Sequence, residues 1–380
     1  MRILLANSHG ADVAYGGAER YAAALVTGLR ARGHHVEVLS AFPVRDGSGP
    51  HTYVLHGTDW RDSRLRRLQN HVGDVVAAPW PRLHAVLATA APDLVHTNNL
   101  PGIATGIWES ARRLGIPVVH SLHDYQLLCP RTSLVRRNGR PCHPSPFLCG
   151  ARTRRLVRWA GGVGTVVGVS QHILRRHAGL FPAAAERVIR PPLARLDERP
   201  VIPPARPPGT LGYLGALTEV KGVRILLAAA PALAEQGIEL RIAGDGPLRA
   251  EVEASDAVRY VGRLDRADLG AFIAACDAGV VPSLWDEPGP LVVGEWLSGG
   301  RPVLATRRGG LAEAARRGGV MSFDESPPAL VDAVRRLREE DEWHRILASM
   351  PAVEDDADLE AWLDAHEEAY EAALEAQSAS

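Results

Sequence analysis

Two glutamates lie where a short apolar run gives way to a loop and then to a helical pattern. The run ends at Pro282, Glu287 stands in the loop, and Glu295 follows within the helix-compatible stretch 291–297. In an open parallel sheet such a loop borders the ligand crevice, and the first N–H groups of the next helix bind anions. Carboxylates there accept hydrogen bonds from ligand hydroxyl groups. The spacing equally suits a capping glutamate and a solvated one, so both interpretations stay open.

A single lysine marks a second loop. All of the 43 lysine and arginine residues are arginine except Lys221. A compact ammonium and a planar guanidinium are not interchangeable at a tight phosphate site, so one retained lysine indicates a chemical requirement, with chance survival as the alternative. Lys221 lies between the strand-like run 210–214 and an amphipathic helical pattern. This is another strand-loop-helix junction, suited to phosphate binding.

Together these loops resemble those of the retaining glycosyltransferases of family 4, also called glycosyl transferases group 1. Members carry two glutamates separated by seven residues, as Glu287 and Glu295 are, and a Gly-Arg-Leu…Lys-Gly loop that is similar to residues 215–222. The resemblance is strong from about residue 210 to 315 and looser before it. The family's usual arginine in this loop is Ala216 here, so a second cation for a diphosphate must come from elsewhere or be missing.

The resemblance implies an α/β fold of the GT-B type, with two Rossmann-like domains facing across a cleft and a C-terminal helix that crosses back to the first domain. A chain of 380 residues can form two domains with separate cores. Short apolar runs that alternate with helical patterns predict parallel sheets independently. We predict an acceptor-binding domain at 1–190 with a returning helix at 355–380, a Pro-rich linker at 191–209, and a nucleotide-sugar-binding domain at 210–354.

For the donor, the resemblance implies a set of loop residues. Lys221 and the N–H groups after Gly289 would stabilise the departing diphosphate, Glu295 would bind the ribose, and Glu287 the transferred sugar. The Gly-Gly and Gly-Asp-Gly sequences in the set could equally form plain turns. The predicted donor-binding residues are Gly16, Gly17, Gly215, Lys221, Asp245, Gly246, Gly262, Arg263, Leu264, Glu287, Gly289, Pro290, Leu291, Val292 and Glu295.

A histidine follows the strand-like run 118–122. Its unperturbed pKa lies near neutrality, so it can act as an acid, a base or a hydrogen-bond donor. The family places a histidine at this strand end near the donor sugar, and a subgroup continues His-Asp-Tyr…Cys-Pro, as residues 123–130 do. The catalytic prediction is therefore His123, Lys221 and Glu287, with Asp124 orienting His123. The acceptor-side candidates are Asp124, Tyr125 and Arg131.

Charge is unevenly distributed along the chain. Residues 1–190 carry 24 arginines against 11 acids, residues 125–185 carry ten arginines and no acid, and residues 351–380 carry ten acids and no Lys or Arg. A basic half predicts an anionic partner, which could be the acidic tail, a lipid surface or a charged acceptor. The predicted partners are a nucleotide-sugar donor and an acceptor sugar, lipid-linked glycan or small metabolite. Nucleic acid is not expected, and peripheral membrane contact is an open alternative.

Three of the four cysteines lie close together in the chain. Cys129, Cys142, His143 and Cys149 could supply four zinc ligands. Their spacing matches no paired Cys-x-x-Cys motif, and a reduced loop that shapes the acceptor pocket is the alternative. No Asp-x-Asp site occurs at the cleft loops, so we predict neither a metal nor a cofactor. A UDP-, GDP-, ADP- or dTDP-linked donor stays open.

The sequence thus predicts a retaining, metal-independent transfer of sugar from a nucleotide diphosphate to a hydroxyl group. An epimerase or phosphorylase on the same architecture would release product without an acceptor. A catalytically silent binding or assembly protein would tolerate the missing arginine at Ala216. The glutamate pair and the lysine argue against silence. No signal peptide and no apolar run of about 18 residues is evident, which predicts a cytoplasmic protein.

Overall fold

A computed structural model describes residues 1–9, 16–42, 52–55, 80–136, 142, 147–193, 201–352 and 357–378. The chain divides into two compact units. The first unit is formed by residues 1–134, 143–190 and 361–380, and the second by residues 135–142 and 191–360. Each unit is an α/β structure built on its own parallel sheet.

The sheet of the first unit has the strand order β3-β2-β1-β4-β5-β6-β7 within the described ranges. All neighbouring strands are parallel. The central strands are buried almost throughout, as expected for a parallel sheet covered on both faces. The strands are β1 (Arg2–Asn7), β2 (His35–Ser40), β3 (Thr52–Val54), β4 (Leu94–Thr97), β5 (Val118–Leu122), β6 (Thr165–Gly168) and β7 (Ala185–Val188).

Helices flank this sheet. The spacing of Tyr21, Leu25 and Leu29 predicts that they share one apolar face of a helix, and the first helix, Gly17–Ala31, buries all three. The terminal helix, Ala357–Ser378, lies within the predicted span 355–380. The other α-helices of this unit are Trp80–Ala90, Gly106–Arg113, Leu148–Leu156 and Gln171–Arg176.

The second sheet has the order β10-β9-β8-β11-β12-β13, and again all of its neighbouring strands are parallel. Its strands are β8 (Thr210–Leu214), β9 (Glu239–Ala243), β10 (Arg259–Gly262), β11 (Ala278–Val281), β12 (Val303–Thr306) and β13 (Val320–Phe323). Its α-helices are Val223–Glu235, Arg249–Glu253, Arg266–Ala274, Leu291–Ser298, Gly310–Arg316, Pro327–Leu337 and Glu340–Ala348.

A tryptophan fixes the helix Leu291–Ser298, called here the glutamate helix because it carries Glu295. Trp296 is fully buried on one face of the second sheet. Its ring occupies the space that a Cβ atom would need at Gly279, where the nearest ring atom would be 2.5 Å away, and a side chain at Gly212 would also collide with it. Glycines in β8 and β11 therefore let the glutamate helix pack closely on the sheet.

The prediction of two Rossmann-like domains is confirmed, but several elements differ from expectation. The charged amphipathic pattern of residues 329–347 predicts one helix, but the structure has two helices there, which are separated between Leu337 and Glu340. The segment 43–69 shows no clear periodicity, which predicts an irregular surface excursion, but it contains β3; its residues 43–51 and 56–69 lie outside the described ranges. Of the predicted linker, residues 194–200 also lie outside them. Among the described residues, no helix has the length and apolar character needed to cross a bilayer.

Candidate active site

The order of the second sheet reverses between β8 and β11, which is where open α/β sheets bind ligands. The loops that follow these two strands touch through their backbones. The Leu284 N–H donates to the Val220 carbonyl at 2.8 Å. Gly222 has φ +74°, and any Cβ atom there would collide with the Pro282 carbonyl oxygen. Only glycine permits this approach.

This contact brings the sole lysine to the first glutamate. Lys221 Nζ donates to Glu287 Oε1 at 2.7 Å, and the Ser283 hydroxyl donates to the same oxygen at 2.5 Å. The Glu287 side chain is only 6% exposed, whereas that of Lys221 is 29% exposed. Nζ also lies 4.9 Å from the centre of the Trp285 ring. A buried carboxylate is tolerated because it is paired and hydrogen-bonded.

The Lys221–Glu287 pair shows that the roles of these two side chains are linked, which the sequence did not predict. We assigned Lys221 to a diphosphate and Glu287 to sugar hydroxyls as independent roles. Oε1 of Glu287 instead accepts two hydrogen bonds from the protein. An ammonium has three donors, so Lys221 can bind an anion while it stays bonded to Glu287. Glu287 thus holds the cation in place.

A third loop, after β12, secures the Glu287 backbone. The Gly310 N–H donates to the Glu287 carbonyl at 2.6 Å, and a short bridge joins Glu287 to Gly309. A Cβ atom at Gly309, which has φ +57°, would lie 2.5 Å from the Glu287 carbonyl oxygen. Thr306 Oγ1 donates to the Ser283 carbonyl at 2.7 Å. Three loops thus fix one carboxylate.

The loop with the departure from the family pattern is also rigidly held. The buried Tyr213 hydroxyl donates to the Ala216 carbonyl at 2.8 Å, and the Leu217 N–H donates to the Asp245 carbonyl at 2.9 Å. Asp245 Oδ1 accepts the N–H of Gly246, whose Cβ atom would lie 2.6 Å from the Leu217 carbonyl oxygen. The Gly-Asp-Gly triplet therefore packs against the first loop and is more than a bare turn.

The other predicted donor residues of this unit lie along the same carboxyl edge of the sheet. Gly215 follows β8, while Gly262, with φ +82°, ends β10 and precedes an exposed Arg263 and a half-buried Leu264. Gly289 and Pro290 precede the glutamate helix, which begins with Leu291 and Val292. Glu295 is half-buried within that helix. The N–H groups of the first helical turn lie beside the loop of Glu287.

In the first unit, His123 lies directly after β5. Its Nε2 is 3.1 Å from Asn98 Oδ1, and its ring meets the Tyr21 ring edge-on with centroids 4.4 Å apart. Burial, with a smaller contribution from His366, lowers the pKa of His123 to about 3. His123 is therefore neutral at neutral pH, and its ring is available for hydrogen bonds as an imidazole, not as an imidazolium.

Asp124 does not make the orienting contact that the sequence suggested. Its Oδ1 accepts the Gln126 N–H at 2.7 Å, and Asn98 is the hydrogen-bond partner of His123. Burial raises the pKa of Asp124 to about 6, a shift that the Gln126 N–H opposes and the charge of Glu19 reinforces. Asp124 remains beside His123 in a small pocket at the ends of β4 and β5. The pocket is lined by Asn98, Asn99, Leu100, His120, Ser121, Leu122, His123, Asp124, Gln126 and Leu127.

Two acceptor-side candidates do not line this pocket. Tyr125 is completely buried, and its ring stacks at 6.1 Å on that of His177, so it is a core residue. Arg131 is exposed. Gly16 and Gly17 begin the first helix, where a Cβ atom at Gly16 would lie 2.9 Å from Glu19 Oε2.

The zinc alternative for Cys129, Cys142, His143 and Cys149 stays a hypothesis, because one of the four residues is not described. Cys129 is buried, Cys142 and Cys149 are half-buried, and all are free thiols. His143 lies outside the described ranges. In the parts of the chain that the structure describes, no group of three or more potential metal ligands comes together.

Three supporting side chains were not predicted. Ser283 and Asn98 follow β11 and β4 closely, so their position just after a strand was a usable signal. Tyr21 was assigned only to the core face of its helix, and its contact with His123 leaves no trace in local sequence.

Comparisons with known proteins address the family and the fold of the chain. A family model described as "Glycosyltransferase Family 4" matches residues 15–192, and one described as "Glycosyl transferases group 1" matches residues 208–340. A glycogen synthase of Mycobacterium tuberculosis is 27% identical over 89% of this chain and 86% of its own.

Solved structures share the fold. A sucrose-phosphate synthase from Thermosynechococcus elongatus covers all of both chains with a TM-score of 0.69 and 20% identity. Anabaena HepE, solved in complex with UDP, covers 97% of this chain and 99% of its own, with a TM-score of 0.66 and 19% identity. Both the matched families and the two parallel-sheet units lead to one assignment: the chain is a GT-B glycosyltransferase of family 4, glycosyl transferases group 1.

Proposed function

We propose that this glycosyltransferase moves a sugar from a nucleoside diphosphate to an acceptor hydroxyl with retention of configuration and without a metal ion. The observation that carries the proposal is the sole lysine, held by Glu287 at 2.7 Å where β8 and β11 end. Beside it, the first N–H groups of the glutamate helix offer a second anion-binding element. A diphosphate matches both features, and the UDP in the Anabaena HepE structure supports this class of donor.

In the proposed reaction, the bond between the anomeric carbon and the phosphate oxygen breaks and negative charge develops on the diphosphate. Lys221 and the N–H groups of Leu291 and Val292 stabilise that charge; loss of one such donor typically costs about 3 kcal/mol. The acceptor oxygen bonds to the anomeric carbon on the same face, and its proton passes to the leaving phosphate. Neutral His123 binds a sugar hydroxyl, and Glu295 binds the ribose.

The deciding experiment measures nucleotide release from UDP-, GDP-, ADP- and dTDP-sugars by the wild type, Lys221→Ala and Glu295→Ala. We expect donor-specific release that both substitutions abolish and that EDTA leaves unchanged. Arg345→Ala is the matched control, because Arg345 is an exposed residue that pairs with Glu342 on a helix outside the site. Full activity in Lys221→Ala would overturn the assignment of the diphosphate site, and inhibition by EDTA would contradict the metal-free mechanism.

For the acceptor, we propose a glycan carried at an anionic lipid surface. Phe147 and Leu148 are 83% and 81% exposed at the start of the helix Leu148–Leu156, and Arg154 and Arg155 are exposed on that helix. Apolar side chains beside arginines suit the interface of a membrane with acidic headgroups. Sedimentation with phosphatidylglycerol vesicles, but not with phosphatidylcholine vesicles, is expected for the wild type and lost in Phe147→Ser/Leu148→Ser. Equal recovery of both proteins would exclude this surface.

A further inference from the structure

A buried chain of polar aromatic groups joins the terminal helix to the residue beside the pocket of the first unit. Nδ1 of His366 lies 2.7 Å from the Trp362 carbonyl oxygen, which can only accept, so Nδ1 carries the proton. Nε2 is then an acceptor, and the Tyr21 hydroxyl donates to it at 2.6 Å. His366 and Tyr21 are 0% and 3% exposed, so this bond has no competition from solvent.

Tyr21, which is held by its hydrogen bond to His366, restrains His123 because the two rings pack together. Its ring meets the His123 ring at 70° with centroids 4.4 Å apart, and the Trp362 ring at 88° and 4.9 Å. Edge-to-face pairs of this kind are directional contacts. On its other side His123 bonds to Asn98 at 3.1 Å. The imidazole thus lies between Asn98 at the end of β4 and Tyr21, whose hydroxyl is hydrogen-bonded to the terminal helix.

A second connection runs from the same helix face to the same strand. The Tyr370 hydroxyl, one turn after His366, lies 2.6 Å from His96 Nδ1, and His96 Nε2 lies 2.8 Å from the Ser121 hydroxyl. Ser121 precedes His123 by two positions in the chain. Both routes end at the carboxyl end of β5, so a shift of the terminal helix would move His123.

We propose that Tyr21 and His366 are positioning residues, through which the terminal helix sets the orientation of the His123 imidazole for sugar transfer. The catalytic part of this statement rests on the proposed function; the geometric part does not. Active-site groups need to be held within a fraction of an ångström, and a displacement of about 1 Å can cost about 100-fold in rate.

The test uses variants of the full chain that separate the hydrogen bond from the packing. Tyr21→Phe keeps the ring and removes the hydroxyl, and His366→Leu removes the acceptor. His366→Gln places an amide oxygen near the position of Nε2 and should restore the bond. Tyr53→Phe is the matched control, because its hydroxyl bonds to Glu37 away from the pocket.

Two measurements are made on each variant. In ¹⁵N-histidine NMR spectra we expect the His123 ring signals to shift or broaden in Tyr21→Phe and His366→Leu, and to return in His366→Gln. In donor cleavage we expect kcat to fall about tenfold in the first two variants while KM changes less than about twofold, with recovery in His366→Gln. Thermal melting checks that each variant folds.

Unchanged His123 signals and unchanged kcat in folded Tyr21→Phe would overturn the proposal. The NMR arm needs no activity, so it decides the geometric claim even if the proposed donor chemistry is wrong. Shifted signals in Tyr21→Phe together with full activity in His123→Ala would support the geometric link and refute the role of His123 in transfer.

Discussion

The strand ends of the two units carry different kinds of side chain. In the second unit a charged pair, Lys221 and Glu287, joins the loops after β8 and β11. In the first unit the ends of β4 and β5 carry neutral imidazoles and amides, among them His123 and Asn98. Composition follows the same division: the only lysine lies within residues 191–360, and of the 15 histidines only His344 does.

This difference predicts that the two regions respond differently to substitution and to acid. A fixed charge stabilises an anion at any pH near neutrality, but it needs a buried counter-charge and several loops to hold it. Neutral imidazoles orient hydroxyl groups without attracting counter-ions, but protonation disrupts them. The second unit should therefore respond most to changes in side-chain geometry and the first unit to changes in pH.

The largest effect is expected from Lys221→Arg. The planar guanidinium cannot reproduce the ammonium contacts to Glu287 and to a phosphate together, so donor cleavage should fall about 100-fold, or roughly 2.7 kcal/mol. Thermal stability should change little because the charge pairing persists. Steady-state kinetics and melting curves measure the two effects. Arg249→Lys is the reverse control, because Arg249 forms an exposed pair with Glu253, and this variant should keep wild-type activity and stability. Wild-type turnover in Lys221→Arg would contradict the inference that the site requires a lysine.

The second-largest effect is expected from a substitution where the loops that carry Lys221 and Glu287 touch through their backbones. Gly222 and Gly237 have almost the same φ, +74° and +75°, but only at Gly222 would a Cβ atom meet another loop. Gly237→Ala should cost about 1 kcal/mol of unfolding free energy from strain alone. Gly222→Ala should cost roughly 2 kcal/mol more, and donor binding should weaken with it. Urea unfolding and donor titration distinguish the two variants, and equal costs would mean that the loops separate freely.

Acid should loosen the first unit before the second. Burial lowers the pKa of His120 to about 3, and of His177 and His366 to about 4. The unfolded chain therefore binds more protons than the native one below pH about 6.5, and stability falls as the pH falls. Each histidine removes up to roughly 1.4 kcal/mol per pH unit until its native pKa is reached.

Asp124 acts in the opposite sense. Its pKa is raised to about 6 by burial, so the native state binds its proton more tightly than the unfolded chain between pH about 4 and 6. On acidification, the stability gained from Asp124 therefore offsets the stability lost from about one histidine. Hydrogen exchange at pH 7.5 and 5.5, corrected for the slower intrinsic exchange of amides at the lower pH, should show reduced protection factors in β4 and β5 at pH 5.5, with those of β8 and β11 little changed. An equal loss of protection in both sheets would contradict the comparison.

The smallest effect should come from Ser283→Ala. Its hydroxyl donates to Glu287 Oε1 at 2.5 Å, while Lys221 still pairs with that oxygen in the variant. Loss of one hydrogen bond to a carboxylate should cost about 1.5 kcal/mol in stability and reduce kcat by roughly threefold to tenfold. A loss as large as that of Lys221→Arg would show that Ser283, rather than the ion pair, positions Glu287.

Local patterns predicted much of the framework. β5 and β8 have the predicted bounds, 118–122 and 210–214, because each is a short run rich in apolar residues. β7 was missed because Ala-Glu-Arg-Val at the sheet edge is largely exposed and shows no alternation of apolar residues. One helix was predicted across residues 329–347 because the apolar periodicity continues from one helix into the next. The first of these helices ends at Leu337 and the second begins at Glu340.

The sequence proposes the residues of the candidate site one by one, but it does not contain their contacts. Lys221 and Glu287 are 66 positions apart, and their pairing follows from the adjacency of β8 and β11, which no local pattern contains. Tyr21 and His366 are 345 positions apart. Side-chain chemistry and strand ends can be inferred from sequence, whereas long-range partners depend on the strand order.

The position of the terminal helix also determines the order in which the protein can mature during synthesis. Residues 1–190 leave the ribosome first, yet the buried Tyr21 and His96 find their partners His366 and Tyr370 only after the whole second unit has been translated. Until then, the first helix exposes an apolar face that another chain or a chaperone can bind. The unit translated first is therefore the one completed last.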